Sequence, residues 1–181
     1  MEYEGEYLYD KKWNSKGYDG NGDIIYELIK GNGKVKEYDA YDKLRFEGEY
    51  INGKLNGKGK EYNNDRLIFE GEYLNGERHG KGKEYDNYDF KNYLKFEGEY
   101  LNGKRNGKGI EYQSDGDLIF EGEYLDGKIW NGKGKGEYGF NSMFKGEYLN
   151  GKEWNGVIKT SFCCGDGYCE TKIINGKSIS K

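Results

Sequence analysis

A five-residue segment, Phe-Glu-Gly-Glu-Tyr, recurs along this chain of 181 residues and constrains its fold more than any other feature. Full copies, the first with Tyr for Phe and the last with one substitution, begin at Tyr3, Phe46, Phe69, Phe96, Phe120 and Phe144. The intervals from Phe46 onward are 23 to 27 residues, and a period of this size is typical of repeat architectures. The sequence therefore predicts about eight units of roughly 23 residues, with degenerate units near 26–45 and 169–181.

Each unit has the pattern of a β-hairpin. In residues 46–50, aromatic residues and glycine alternate with glutamates, which is the period-two pattern of a strand with one apolar and one wet face. Asn52-Gly53 and Asn56-Gly57 supply the positive φ that hairpin turns need. Residues 58–62 then read as a returning strand.

A glycine inside a strand normally weakens it. Gly48 nevertheless recurs at one position of the unit, as Gly71, Gly98, Gly122 and Gly146. We expect an aromatic ring from the adjacent strand to lie over this gap. The face of the second-strand tyrosines, such as Tyr62, stays open at this point, because a bulge in the glycine-rich segment would change the phase of that strand.

No segment has a helical apolar stripe, and no segment has the composition of a second layer. The expected fold is therefore all-β: an elongated single-layer antiparallel meander of repeated β-hairpins, in which units touch only their neighbours. Two strands per unit at about 4.8 Å spacing give a sheet roughly 75 Å long. We expect residues 1–181 to form a single array with a divergent C-terminal cap.

The repeated segments resemble the MORN repeat. The resemblance is carried by the Phe-Glu-Gly-Glu-Tyr segments and by the glycine-rich stretches at 75–82 and 102–109. It implies an elongated, twisted antiparallel sheet used for protein scaffolding or membrane attachment. Related variant repeats in some bacterial antitoxin-like proteins imply a further alternative, the neutralisation of a partner protein. Lys-Glu-Tyr at Lys36, Lys60 and Lys83 departs from the commonest form of the repeat.

Composition narrows the possible partners and compartments. The net charge of −4 gives no global attraction to nucleic acid, so we expect no nucleic-acid partner. Glutamates occupy the N-terminal residues, no apolar run follows, and no stretch reaches membrane-spanning length. We therefore expect a cytoplasmic protein, with membrane or cytoskeletal association as an alternative.

The sequence lacks the patterns of an active site, so we expect no enzyme, cofactor or metal. His79, the only histidine, occupies a turn position that asparagine holds in sister units. The glutamate pairs recur in almost every unit, whereas an active site has no reason to be copied. Residues 19–23 resemble the start of a calcium loop, but Ile24 and Lys30 stand where the loop needs glycine and glutamate.

The cysteines and tryptophans permit alternative roles. Cys163, Cys164 and Cys169 fit neither a disulfide framework nor a four-ligand zinc site, so we expect ordinary thiols, with palmitoylation or an intermolecular metal site as alternatives. The three tryptophans each precede an asparagine in the same loop of different units. They either pack the loop or anchor a partner.

The aromatic residues of the opening strands suggest a protein-binding surface. A single layer has little material with which to cover such a row, and exposed apolar patches mark interaction sites. We therefore expect a protein-interaction scaffold that docks a partner protein on this aromatic face. The face consists of Phe46, Tyr50, Phe69, Tyr73, Phe96, Tyr100, Phe120, Tyr124, Phe144 and Tyr148.

Charge is segregated within each unit, with glutamates in the opening strand and basic residues in the loop and returning strand. One interpretation is cross-strand pairing of opposite charges on a solvated face. The alternative is a row of basic loops that meets anionic phospholipid. The candidate lipid contacts are Lys54, Lys81, Lys104, Arg105 and Lys108.

The terminal units suggest self-association. Residues 3–7 form an undegraded strand with no preceding cap, and an unpaired strand edge is a template for pairing. The last unit, by contrast, carries Lys172, Lys177 and Lys181 and loses the glycine and tyrosine of the repeat. We expect a homodimer formed through the N-terminal edge or the aromatic face.

Overall fold

A computed structural model describes residues 2–9, 11–88, 91–137, 142–161 and 168–179. Cys163 and Cys164 lie outside this range. The described residues form sixteen strands. These are β1 (Glu2–Leu8), β2 (Lys11–Tyr18), β3 (Ile24–Leu28), β4 (Gly33–Tyr38), β5 (Leu44–Ile51), β6 (Lys54–Asn63), β7 (Arg66–Leu74), β8 (Glu77–Tyr88), β9 (Lys91–Leu101), β10 (Lys104–Tyr112), β11 (Leu118–Leu125), β12 (Lys128–Glu137), β13 (Ser142–Leu149), β14 (Lys152–Ser161), β15 (Tyr168–Ile174) and β16 (Lys177–Ile179).

The strands follow one another in chain order, as a meander of hairpins. β1–β3 form one antiparallel sheet, and β4–β16 form a second sheet of thirteen strands. The prediction of an all-β hairpin meander is confirmed. The packing divides the chain into two compact parts, each of which contains several repeats. We call residues 1–94 and 100–104 the first unit, and residues 95–99 and 105–181 the second unit. Among the described residues, no helix is long and apolar enough to cross a membrane.

The hairpin turns are tighter than the sequence pattern predicts. Asn52 and Gly53 have φ values of 51° and 71°, so these two residues complete the turn, as Asn-Gly does in type I′ hairpins. The returning strand therefore begins at Lys54 and not at Lys58. Gly57, with a φ of 82°, lies inside this strand where the pairing register shifts between Gly48 and Tyr50.

The degenerate unit near residues 26–45 marks the change from one sheet to the other. β3 pairs with β2, and β4 pairs with β5. An isolated bridge from Ile29 to Asn32 links the ends of β3 and β4. Divergence of the repeat sequence thus coincides with an incomplete hairpin in the first unit.

The recurrent strand glycine makes room for a ring of its own strand. A Cβ atom at Gly48 would lie 2.7 Å from Cζ of Phe46 and 2.8 Å from Cα of Gly59 on the neighbouring strand. The prediction that a ring covers this gap is correct, but the prediction that the ring comes from the adjacent strand is wrong. Phe46 folds back over the residue two positions along its own strand.

Strand pairing shows which face carries the second-strand tyrosines. Glu61 pairs with Phe46 on one side and with Phe69 on the other, so it lies on the inner, apolar face. The hydroxyl of Tyr62 donates a hydrogen bond to Glu47 at 2.6 Å, and Glu47 alternates with Phe46 on the other face of β5. The second-strand tyrosine therefore lies on the outer face.

Candidate interaction surfaces

The aromatic row of the opening strands forms the interior of the molecule. In the first unit Phe69 is 0% exposed and Tyr73 is 6% exposed, and in the second unit Phe96, Phe120 and Phe144 are each 0% exposed. Edge-to-face contacts join the rings, with centroids 5.2 Å apart for Phe69 and Tyr100 and 5.1 Å apart for Phe96 and Tyr124. Of the ten residues predicted to form an open docking face, eight are buried, and Tyr50 and Tyr148 are half-buried. Most of the apolar surface of these rings is therefore covered within the chain.

Glutamates of the neighbouring strands accept hydrogen bonds from the hydroxyls of these tyrosines. Tyr73 donates to Glu61 at 2.6 Å, and Tyr100 donates to Glu84 at 2.7 Å. Burial, followed by the hydrogen bond and the charge of Glu61, raises the pKa of Tyr73 above its usual value. These glutamates are structural acceptors, which accounts for their repetition along the chain.

Arg78 covers the ring of Phe69 in the first unit. Its guanidinium carbon lies 4.0 Å from the ring centroid. Nε and Nη2 donate to the two oxygens of Glu61 at 2.9 and 2.7 Å, and Nη1 lies 3.7 Å from Glu84. Burial alone would raise the pKa of Glu61, but the hydrogen bonds from Arg78 and Tyr73 outweigh it and lower that pKa. The ring is thus covered by a guanidinium between two carboxylates.

Arg105 repeats this arrangement in the second unit. Its guanidinium carbon lies 4.0 Å from the centroid of Phe96, and its Nη1 donates to Glu111 at 3.0 Å. Only 16% of the Arg105 side chain is exposed. The structure therefore removes Arg105 from the predicted lipid contacts, because its charge is engaged inside the fold.

The outer face carries alternating opposite charges. In the first unit, Lys60 lies between Glu47 and Glu70 of the two neighbouring strands. The backbone N–H of Lys81 donates to Glu72. In the second unit, Lys108 lies opposite Glu123. The register agrees with cross-strand pairing of charges on this face, and each exposed pair contributes only about 0.2–1 kcal/mol.

The hairpin turns of the first unit carry exposed aliphatic side chains. One such residue stands at the end of each opening strand or directly after it, and its exposed fraction lies between 39% and 63%. These residues are Leu8, Ile29, Ile51, Leu74 and Leu101. In the second unit, Leu125, Leu149 and Ile174 hold the same position and are 37% to 46% exposed. We call the edge formed by the hairpin turns of a unit its turn margin.

Lysines stand beside these aliphatic residues. Ile51 pairs with Lys54 across its turn, and Leu149 pairs with Lys152 across another. Both Lys54 and Lys104, two of the predicted lipid contacts, are exposed at the turn margin of the first unit. Seven lysines and three acidic residues occur in the eight four-residue turn segments of the sequence, although the chain has a net charge of −4. These segments are residues 8–11, 29–32, 51–54, 74–77, 101–104, 125–128, 149–152 and 174–177. The turn margins are therefore both aliphatic and basic.

Hydrogen bonds hold successive turns side by side within each unit. In the first unit the N–H of Gly76 donates to the carbonyl oxygen of Leu55 at 2.9 Å, and the N–H of Asn75 donates to Oδ1 of Asn56 at 3.2 Å. In the second unit the N–H of Gly151 donates to the carbonyl of Trp130 at 2.8 Å. A Cβ atom at Gly151 would lie 3.6 Å from the Trp130 ring, which agrees with the loop-packing interpretation of this tryptophan.

Sequence reasoning missed the aliphatic row of the turn margin. Leu74 follows the repeated segment directly, and a leucine or isoleucine stands at that position in every copy of the unit. The signal was therefore present as a repeated apolar residue beside a turn. It was obscured because the expected apolar face lay on the alternate residues of the same strand.

Three segments of the chain, residues 46–66, 69–90 and 96–118, match the family model of the MORN repeat. A search of the curated proteins finds no match to the chain. The three matching segments each contain an opening strand, an Asn-Gly turn and a returning strand.

Proposed function

The chain is a MORN-repeat protein, and we propose that it is a non-enzymatic module that attaches to anionic membrane surfaces through its turn margins. MORN repeats are generally modules for interaction with proteins or membranes, and the family is generally non-enzymatic. The repeated aliphatic and lysine residues of the turn margin are the observation that carries the proposal.

The chemistry of the turn margin favours a lipid surface over a protein partner. Protein interfaces are enriched in aromatic residues and arginine and depleted in lysine. In this chain Phe69, Arg78, Phe96 and Arg105 are engaged inside the fold, whereas the turn margin presents leucine, isoleucine and lysine. Aliphatic side chains that enter the acyl boundary next to lysines at the headgroups are typical of peripheral membrane binding.

The charges of the turn margin supply a second contribution. Each lysine near an anionic bilayer surface adds about 1 kcal/mol of binding free energy, and salt weakens this attraction over a Debye length of about 10 Å at 0.1 M. Lys54 and Lys104 are exposed beside Ile51 and Leu101. The proposal therefore requires binding that depends on both anionic lipid and ionic strength.

Co-sedimentation with phosphatidylserine-containing vesicles tests this function. We expect the wild-type protein to bind at low salt and to bind phosphatidylcholine vesicles weakly. The variant Lys54→Gln/Lys104→Gln should bind about 30-fold less tightly, since two surface lysines contribute about 2 kcal/mol. Leu74→Ser/Leu101→Ser should also weaken binding, because it removes the aliphatic contacts.

The outer face provides the matched control. Lys58→Gln/Lys60→Gln removes the same charge from residues that lie opposite Glu70 and Glu72, so vesicle binding should stay within threefold of wild type. Absence of wild-type binding at low salt, or an equal loss in both lysine variants, would contradict attachment through the turn margin.

A further inference from the structure

The cover of the aromatic interior is incomplete at one repeat of the first unit. Arg78 pairs with Tyr73 across β7 and β8, and Leu55 occupies the corresponding position opposite Tyr50 across β5 and β6. Leucine is shorter than arginine and carries no charge. Phe46 is 6% exposed, whereas Phe69 is 0% exposed.

A cavity of about 560 Å³ lies over this repeat. Its apolar wall is formed by Phe46, Leu55 and Ile68. The charged residues that line it are Glu37, Glu61, Glu77, Arg45 and Arg78. We call this cavity the Phe46 notch. Its volume lies within the range of about 300–1,000 Å³ that is usual for small-ligand sites.

The carboxylates around Phe46 match those around Phe69. Phe46 lies between Glu37 and Glu61 of the neighbouring strands, as Phe69 lies between Glu61 and Glu84. Arg78 fills the space over Phe69 and engages both of its flanking glutamates. The Phe46 notch therefore has the ring and the carboxylates of that site, but Leu55 stands where that site has its arginine.

Glu37 retains capacity for a further donor. Nζ of Lys12 and the hydroxyl of Tyr50 both donate to its Oε1 at 2.9 Å, and Oε2 accepts no hydrogen bond among the described residues. Arg78 is held by Glu61, and Lys12 is held by Glu37. Oε2 of Glu37 is therefore the acceptor in the notch that a further donor can use.

We propose that the Phe46 notch binds an arginine side chain of a partner protein, in the position that Arg78 occupies over Phe69. The guanidinium would stack on the Phe46 ring and donate to Glu37, since a flat cation satisfies both an aromatic face and a carboxylate. This site goes beyond the membrane attachment proposed above, because its ring and its free acceptor, Phe46 and Glu37, belong to the inner face, while Gly76, Glu77 and Gly103 of the turn margin line its rim.

The probe is the peptide acetyl-Gly-Arg-Gly-amide, titrated into the full chain and followed by NMR. We expect selective shifts of the Phe46 ring protons and the Leu55 amide, with the Phe69 ring unchanged. The citrulline peptide, which keeps the shape and loses the charge, should bind at least tenfold more weakly. Equal binding of both peptides, or shifts spread over both rings, would overturn the proposal.

The sister repeat, which has Arg78 where this repeat has Leu55, supplies the variant that tests the proposal. Leu55→Arg supplies the arginine that the sister repeat already has, so it should fill the notch and reduce peptide affinity at least tenfold. Ile51→Arg adds the same charge at the exposed turn margin and should leave affinity within twofold. Undiminished binding to a folded Leu55→Arg protein would overturn the proposal, and the wild-type ring shifts decide the question if that variant does not fold.

Discussion

Phe69 in the first unit and Phe144 in the second are equally buried, at 0% exposure, but their surroundings differ in chemistry. Glu61 and Glu84 flank Phe69 on the neighbouring strands, and Arg78 covers it. Gly136 and Ile158 flank Phe144, which packs with Ile158 and Ile173. One backbone pattern thus accepts either a charged or an apolar enclosure for the same ring.

The two rings should contribute equally to stability if burial decides. Phe69→Ala and Phe144→Ala should each reduce the free energy of unfolding by about 3–5 kcal/mol, because each removes a fully buried ring and leaves a cavity. Urea denaturation of both variants measures this. Leu74→Ala, at the exposed turn margin, should change stability by only about 0.5 kcal/mol. A small loss at either phenylalanine would break the equivalence.

The two enclosures should differ in how much stability is lost when one residue that contacts the ring is replaced. Arg78→Met leaves the carboxylates of Glu61 and Glu84 without their cation, and we expect a loss of about 1–3 kcal/mol. Ile158→Met keeps the volume next to Phe144 and should cost less than about 1.5 kcal/mol. Thermal denaturation compares the two variants.

A double-mutant cycle sharpens this difference. Adding Glu61→Gln to Arg78→Met should recover part of the loss, since a neutral amide is less costly to bury than an unpaired carboxylate. Strict additivity of the two substitutions would show that Arg78 acts through packing on Phe69 and not through its charge.

The smallest effect is a difference in pH dependence. Because the pKa of Glu61 is lowered in the folded chain, its pairing stabilises the protein above the unfolded-state pKa of about 4.3 and is lost as pH falls through the folded pKa. Amide exchange should therefore show the Phe69 repeat losing protection in acid before the Phe144 repeat, and Arg78→Met should abolish the difference.

Alkaline pH provides the opposite sign. The pKa of Tyr73 is raised by burial and by Glu61. Its stabilising contribution is complete below the unfolded-state value of about 10 and is lost as pH rises above it.

For the acid prediction, equal amide protection of the Phe69 and Phe144 repeats throughout the acid range would contradict the role assigned to Glu61.

The hairpins were predictable from the sequence, but the enclosures were not. The alternation in residues 46–50 and the Asn-Gly turns determine strands and connections through local chemistry. Glu47 and Glu61 look alike in the sequence, but Glu61 pairs with Phe46 and shares its face, whereas Glu47 follows Phe46 and lies on the opposite face. Arginine is usually exposed, so the burial of Arg78 and Arg105 follows only from tertiary contacts. The Phe46 notch exists because Leu55 occupies the position that Arg78 holds in the sister repeat.

The hairpin turns and the linkers on the opposite edge differ in their tolerance of length. Each Asn-Gly or Asp-Gly turn between paired strands has two residues, as at 52–53 and 126–127, whereas the linkers have two residues at 64–65 and five at 39–43 and 113–117. Hydrogen bonds between successive turns fix the step on one edge. A repeat can therefore gain or lose residues in its linker without changing the strand register of its neighbours. Insertions and deletions are thus confined to the linkers and do not occur in the hairpin turns.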